Sequence, residues 1–142
     1  MQLSTHFALE ELVHPKIFEI VGERSADFLH PNLIVTLEQM KTHFGKNQSI
    51  VVNDYLWGGA YLNSGLRLPD SKVGATLSAH RFGCAVDCKF KGQDIDDVQE
   101  NILQHPHKFP FITRMESAAF TKTWLHVEVG AYRNKDILVF NP

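Results

Sequence analysis

The sequence predicts an α+β domain, with helices gathered early in the chain and a mostly antiparallel sheet after them. Three observations carry that expectation. Leu33, Ile34, Leu37, Met40 and Phe44 recur at helical spacing, and Gly45 stops the pattern. Residues 85–90 (Ala-Val-Asp-Cys-Lys-Phe) and 123–129 (Thr-Trp-Leu-His-Val-Glu-Val) have the apolar, β-branched texture of strands. The 142 residues, 44% hydrophobic and 21% charged, have the ordinary composition of a globular domain. Residues 1–142 therefore read as one unit, long enough to bury roughly two-thirds of its unfolded surface.

Taken in order, residues 7–12 (Phe-Ala-Leu-Glu-Glu-Leu) form a short helical candidate, interrupted by His14-Pro15. Pro15 suits the first turn of a second helix over residues 16–21, closed by Gly22. Residues 27–31 connect it to the main helix, which Pro31 or Asn32 opens and whose apolar stripe faces the core. Residues 49–53 (Ser-Ile-Val-Val-Asn) read as a strand. Residues 54–77 are irregular, and long loops in compact domains tend to be functional. The aromatics Tyr55, Trp57 and Tyr61 make this one a wall of a cleft rather than a disordered tract. After the strand at 85–90, Asp94 caps a helix over residues 95–104, with Asp96 and Asp97 at the positive end of its dipole. Residues 105–110 break the chain, 111–116 and 123–129 form a hairpin around a turn, and 136–140 make a final strand.

Several function classes are disfavoured. A formal net charge of -2 argues against general nucleic-acid binding, which needs a basic face. No apolar run has the length of a membrane span. The first residues, Met-Gln-Leu-Ser-Thr-His, lack the basic start and apolar core of a secretory signal. A chain that is cytoplasmic as synthesised, and monomeric, is the expectation. Two cysteines, Cys84 and Cys88, are too few for a disulfide scaffold and read as small buried residues, in preference to a closed structural zinc site. His14, His30, His43, His105 and His107 fall beside prolines or helix ends and read as solvated or capping groups. The acidic run at 94–97 lacks the alternating oxygen ligands and closing glutamate of a calcium loop.

The chemistry concentrates in residues 78–87, Ser-Ala-His-Arg-Phe-Gly-Cys-Ala-Val-Asp. Asp87 lies inside a strand-like run, where an unpaired carboxylate is costly to bury. A metal is one reason for it, with His80 on the incoming loop and His126 on the later strand as further ligands. Two imidazoles and a carboxylate leave the fourth position of a tetrahedral zinc open. The spacing by itself equally describes a surface loop followed by a strand-end acid.

The wording of the motifs adds to this. Ser-x-His-x-x-Gly-x-Ala-x-Asp, followed downstream by Trp-x-His, closely resembles the zinc peptidases of the D-alanyl-D-alanine carboxypeptidase type. That family shares its metal site with murein endopeptidases and the hedgehog signalling domain, and the chain is most similar to short, single-domain phage-type members. The resemblance extends more loosely over residues 7–139. It implies that His80, Asp87 and His126 ligate Zn²⁺, that the fold is of the hedgehog and D-Ala-D-Ala peptidase type, and that the substrate is a peptide of bacterial peptidoglycan. Ser-Gly-Leu-Arg at 64–67 resembles the family's Ser-Gly-Tyr-Arg, whose arginine helps hold substrate, which implicates Arg67. Arg81 is a second candidate for that role, and Trp57, Ser78 and Trp124 are further candidate substrate contacts. A wall hydrolase without a signal peptide reaches its substrate by release through a phage holin or as part of a virion.

Two functions of different class follow. One is a zinc-dependent carboxypeptidase or endopeptidase of the endolysin kind. The other is a zinc-stabilised binding or structural domain without turnover, since a fold does not fix a function. Thr123 keeps the second in play, because the carboxypeptidases carry an acid three residues before the last histidine. The closing hairpin offers two replacements. Glu128 shares the face of His126 but lies roughly 6–7 Å farther along the strand, in the second shell of the metal. Glu116 ends the preceding strand and folds back opposite residues 124–126, similar to the glutamate that precedes the last histidine in hedgehog. Glu116 is therefore the expected general base, against a simple ion pair with Arg114 or Lys122.

Overall fold

A computed structural model describes residues 1–130 and 136–142. Among them, α1 (Pro15–Val21), α2 (Pro31–Phe44) and α3 (Ile95–Gln104) accompany a sheet of five strands. The strands are β1 (Ile50–Val51), β2 (Ala85–Phe90), β3 (Arg114–Glu116), β4 (Leu125–Glu128) and β5 (Leu138–Phe140). The class is α+β, with the sheet ordered β1-β2-β4-β3-β5. The sheet is mixed, because β5 runs parallel to β3 while every other neighbouring pair is antiparallel.

The helices begin where their caps dictate. His14 and His30 precede α1 and α2, and each ring Nδ1 accepts a hydrogen bond from the backbone N–H two residues on, at 3.2 Å. Proline occupies the first helical position of both, where no intrahelical donor is lost. Asp94 caps α3 through the Asp96 N–H at 2.9 Å. Other elements are shorter than the sequence suggests. Residues 7–12 hold only the single 3₁₀ turn Leu9–Glu11. The strand expected over 49–53 is reduced to β1, because Asn53 turns inward and its side chain bonds the Val13 carbonyl and the Ser64 N–H. Residues 111–113 stay outside β3, since the Ile112 N–H is drawn back to the Phe109 carbonyl.

One hydrophobic cluster joins the layers. Leu33, Leu37 and Met40 of α2 and Val98 and Ile102 of α3 pack with Val86, Cys88, Leu125, Val127 and Met115 of the sheet. Alternation along the strands then turns Asp87, His126 and Glu116 to the opposite face. Across that face Asp87 pairs with His126, and Ala85 and Arg114 both pair with Glu128. Carrying the β3–β4 register on by one residue sets Glu116 opposite His126, and Glu116 pairs with Phe140 beyond it. No helix among the described residues is long and apolar enough to cross a membrane.

Candidate metal centre

Residues 64–67, Ser-Gly-Leu-Arg, tie the centre together. The Ser64 carbonyl accepts from the Asp87 N–H at 2.7 Å, and the Arg67 N–H donates to the His80 carbonyl at 3.2 Å. Leu66 links to Leu12 and His14 through backbone bonds of 2.7 and 2.9 Å. Gly65 lies so close to this segment that a Cβ would sit 2.1 Å from the Leu12 carbonyl oxygen, so only glycine fits. Gly83 has a comparable duty. It ends the 3₁₀ turn Ala79–Phe82 at φ 66°, and a side chain there would strike the Phe28 carbonyl. The glycine of the motif thus turns the chain from His80 into β2.

The three expected ligands converge. His80 Nε2 lies 3.2 Å from Asp87 Oδ1 and 3.3 Å from His126 Nδ1, and His126 Nδ1 lies 2.8 Å from Asp87 Oδ1. They are the only group of three or more His, Cys, Asp or Glu residues, among the described residues, whose ligand atoms cluster in this way. Zinc–ligand bonds of 2.0–2.2 Å in a tetrahedron place donor atoms about 3.3 Å apart. Two of the three edges have that length. The third is shorter, closed by the His126–Asp87 hydrogen bond that a metal would replace.

The outer bonds fix which ring nitrogens face inward. His80 Nδ1 is 2.9 Å from the Gly65 carbonyl, which can only accept, so Nδ1 carries the proton and Nε2 turns its lone pair to the centre. His126 Nε2 donates to Glu128 Oε1 at 3.1 Å, which leaves Nδ1 inward. Arg67 Nη2 donates to Asp87 Oδ2 at 3.0 Å and leaves Oδ1 for the centre. Metal ligands are oriented by outer partners of this kind.

The electrostatics favour a cation. Burial disfavours a charged His126, but its hydrogen bonds to Asp87 and Glu128 outweigh burial and lift its pKa to about 9. Burial likewise works against the Asp87 carboxylate, yet bonds from His126 and His80 hold it well below its usual range. The two carboxylates thus stabilise positive charge beside the His80, Asp87 and His126 cluster. Two imidazole nitrogens and a carboxylate oxygen form a donor set of the kind that suits zinc.

An open cleft of about 480 Å³ lies over the cluster. Glu116, Arg67, Ser78 and Trp124 line it, together with Glu128, Arg114 and Phe140. Among the described residues, the Glu116 carboxylate makes no hydrogen bond or ion pair. Its two expected partners pair with other acids: Arg114 with Glu128 at 3.5 Å and Lys122 with Asp96 at 3.3 Å. Glu128 spends one oxygen on His126 and the other on Arg114.

The remaining candidates occupy other places. Arg81 is held by its own loop, through the Thr76 and Ser71 carbonyls at 2.8 and 2.5 Å. Trp57 is 67% exposed on the turn Tyr55–Trp57 and does not line the cleft. Arg67 is buried, and beyond Asp87 it donates to the Asn63 carbonyl at 2.6 Å and the Val73 carbonyl at 3.4 Å. Its bonds make it a support for Asp87, with any substrate contact added to that role. An Arg67→Ala variant is expected to bind zinc roughly 10–100-fold more weakly, the usual loss for an outer partner. Competition with a chromogenic chelator checks this; unchanged affinity with impaired catalysis would make substrate binding its main task.

Sequence reasoning did not single out Arg114, Phe140 or Gln99 for the site. Gln99 of α3 clamps the end of β3, donating to the Glu116 carbonyl at 2.8 Å and accepting from the Ala118 N–H at 3.1 Å. Alternation from Glu116 would have placed Arg114 on the same face. Phe140 arrives through the parallel β3–β5 pairing, for which no local signal exists. Comparison with protein-family models, curated proteins and solved structures finds no match to this chain.

Proposed function

We propose that the protein is a zinc-dependent peptidase that hydrolyses an amide bond, with a fold of the D-alanyl-D-alanine carboxypeptidase and hedgehog type. The carrying observation is the cluster of His80, Asp87 and His126 donor atoms within 2.8–3.3 Å of one another. It lies beneath a cleft also lined by Glu116, whose carboxylate has no hydrogen-bond or ion-pair partner among the described residues. Zinc held by those three residues supplies Lewis acidity for the scissile carbonyl and lowers the pKa of water toward neutrality. Glu116 takes the proton of the attacking water and returns it to the leaving amine. Glu128 and Gly65 keep the two imidazoles turned inward while this happens, and Arg67 does the same for Asp87. The motif resemblance supports peptides of bacterial peptidoglycan as substrate.

Digestion of purified peptidoglycan, with mass analysis of the products, tests this reading. New amine and carboxyl ends are expected with the zinc-loaded protein, disappearing with chelator and returning with added zinc. The second reading, a zinc-stabilised domain that binds without cleaving, draws on Thr123, which is exposed where the carboxypeptidases carry an acid. Zinc-dependent binding to peptidoglycan with no released product would favour it.

A further inference from the structure

We propose that Lys89 is a positioning residue of the metal centre. It fixes residues 64–67 against β2, and through them it sets His80 and Asp87 but not His126. This inference rests on the metal centre of the proposed peptidase, whatever bond the enzyme cuts.

Alternation along β2 puts Lys89 on the face of Asp87, two residues beyond it. The side chain is partly buried, and it makes no ion pair among the described residues. An ammonium withdrawn from water without a carboxylate beside it is costly unless its three protons find acceptors. Here all three do. Nζ donates to the Val52 carbonyl at 2.8 Å, to the Asp87 carbonyl at 3.2 Å and to Ser64 Oγ. The Tyr61 ring covers it, with Nζ 4.2 Å from the centroid. Tyr61, expected as a wall of the cleft, thus has its task here and does not line the cleft. One cation joins the residue after β1, the strand of Asp87 and the loop at 64.

Ser64 passes the constraint on. Its hydroxyl accepts from Lys89, its N–H donates to Asn53 Oδ1 at 2.9 Å, and its carbonyl accepts from the Asp87 N–H at 2.7 Å. The next residue, Gly65, supplies the carbonyl that fixes the His80 tautomer, and Arg67 supplies the guanidinium that leaves Asp87 Oδ1 inward. Two of the three inward donors therefore depend on where residues 64–67 lie. His126 is turned by Glu128 from within β4, by a separate contact. Removing a direct outer partner of a ligand weakens metal binding roughly 10–100-fold. Lys89 acts one contact farther out, so a loss near the lower end is expected.

The test reads metal binding rather than turnover, so that the two proposals can fail independently. Lys89→Met keeps most of the side chain's length and removes its three donors. In competition with a chromogenic chelator it is expected to bind zinc about tenfold more weakly than the unaltered protein. With cobalt in place of zinc, its visible absorption bands, which report ligand geometry, should differ from those of the unaltered protein. Ser64→Ala removes only the hydroxyl and should weaken zinc binding in the same direction; where Lys89→Met does not fold, this variant decides alone. Double variants trace the path. Losses from Lys89→Met and Ser64→Ala should overlap, because both cut one contact, while losses from Lys89→Met and Glu128→Gln should add. A lysine that merely supports the fold would lower the melting temperature of the metal-free protein and leave zinc affinity and the cobalt spectrum unmoved. That result would overturn the assignment, as would unchanged affinity in Ser64→Ala or losses that add between Lys89 and Ser64. Peptidoglycan cleavage alongside any of these would leave the peptidase standing. The expected metal effects without cleavage would keep Lys89 and remove the peptidase. An unaltered protein that takes up neither zinc nor cobalt would overturn both.

Discussion

His80→Ala is expected to purify nearly free of zinc from conditions in which the unaltered protein carries about one ion per chain. His80 is 1% exposed, its Nδ1 is tied to Gly65, and its Nε2 is one of three inward donors. Nothing replaces it, because no other such cluster lies among the described residues. Loss of an outer partner alone weakens metal binding 10–100-fold, so loss of a ligand should cost at least about a hundredfold. Elemental analysis of the two proteins side by side checks the first expectation. Thermal unfolding supplies an independent one: a metal that binds only the folded chain stabilises it. Chelator should lower the melting temperature of the unaltered protein and leave that of His80→Ala unmoved. Equal zinc in both proteins would remove His80 from the centre, whatever the activity.

The members of the His/Asp/His cluster were legible because their signals are local. Gly83 follows His80 at the distance of one 3₁₀ turn, and Asp87 interrupts an apolar strand whose alternation fixes its face. The caps of α1, α2 and α3 were legible for the same reason: a proline or an acid next to an apolar repeat determines a helix start. What the sequence obscured depends on contacts between distant segments. The Asn53 side chain bonds Val13 and Ser64, and no periodicity announces that this ends β1. The parallel pairing of β5 with β3 is likewise a tertiary outcome, yet it delivers Phe140 to the site. Arg67 shows how a role shifts with context. Its Ser-Gly-Leu-Arg setting implies a substrate contact, while the fold also presses Asp87 against it at 3.0 Å.

Glu116→Gln is expected to keep its fold and its zinc and to lose turnover by roughly a hundredfold or more, the usual cost of removing a general base. Gln is close in size to Glu, and Gln99 of α3 holds the Glu116 backbone, so the swap leaves the end of β3 in place. The side chain lines the cleft, and its carboxylate has no neutralising partner among the described residues. Glu128 is the competing acid, and its environment argues for another task. Burial works against its charge, but the bond to His126 and the charges of His126 and Arg114 outweigh burial and hold its pKa low. A carboxylate engaged on both oxygens is a poor proton acceptor and a good orienting group. Glu128→Gln should therefore weaken zinc binding roughly 10–100-fold, as an outer partner does, while retaining most turnover once zinc is saturating. Steady-state kinetics on a peptide substrate, measured across a zinc titration, separates the two residues. If Glu116→Gln stays active and zinc-saturated Glu128→Gln is dead, the proton passes through Glu128, and Glu116 is a bystander at the rim of the cleft.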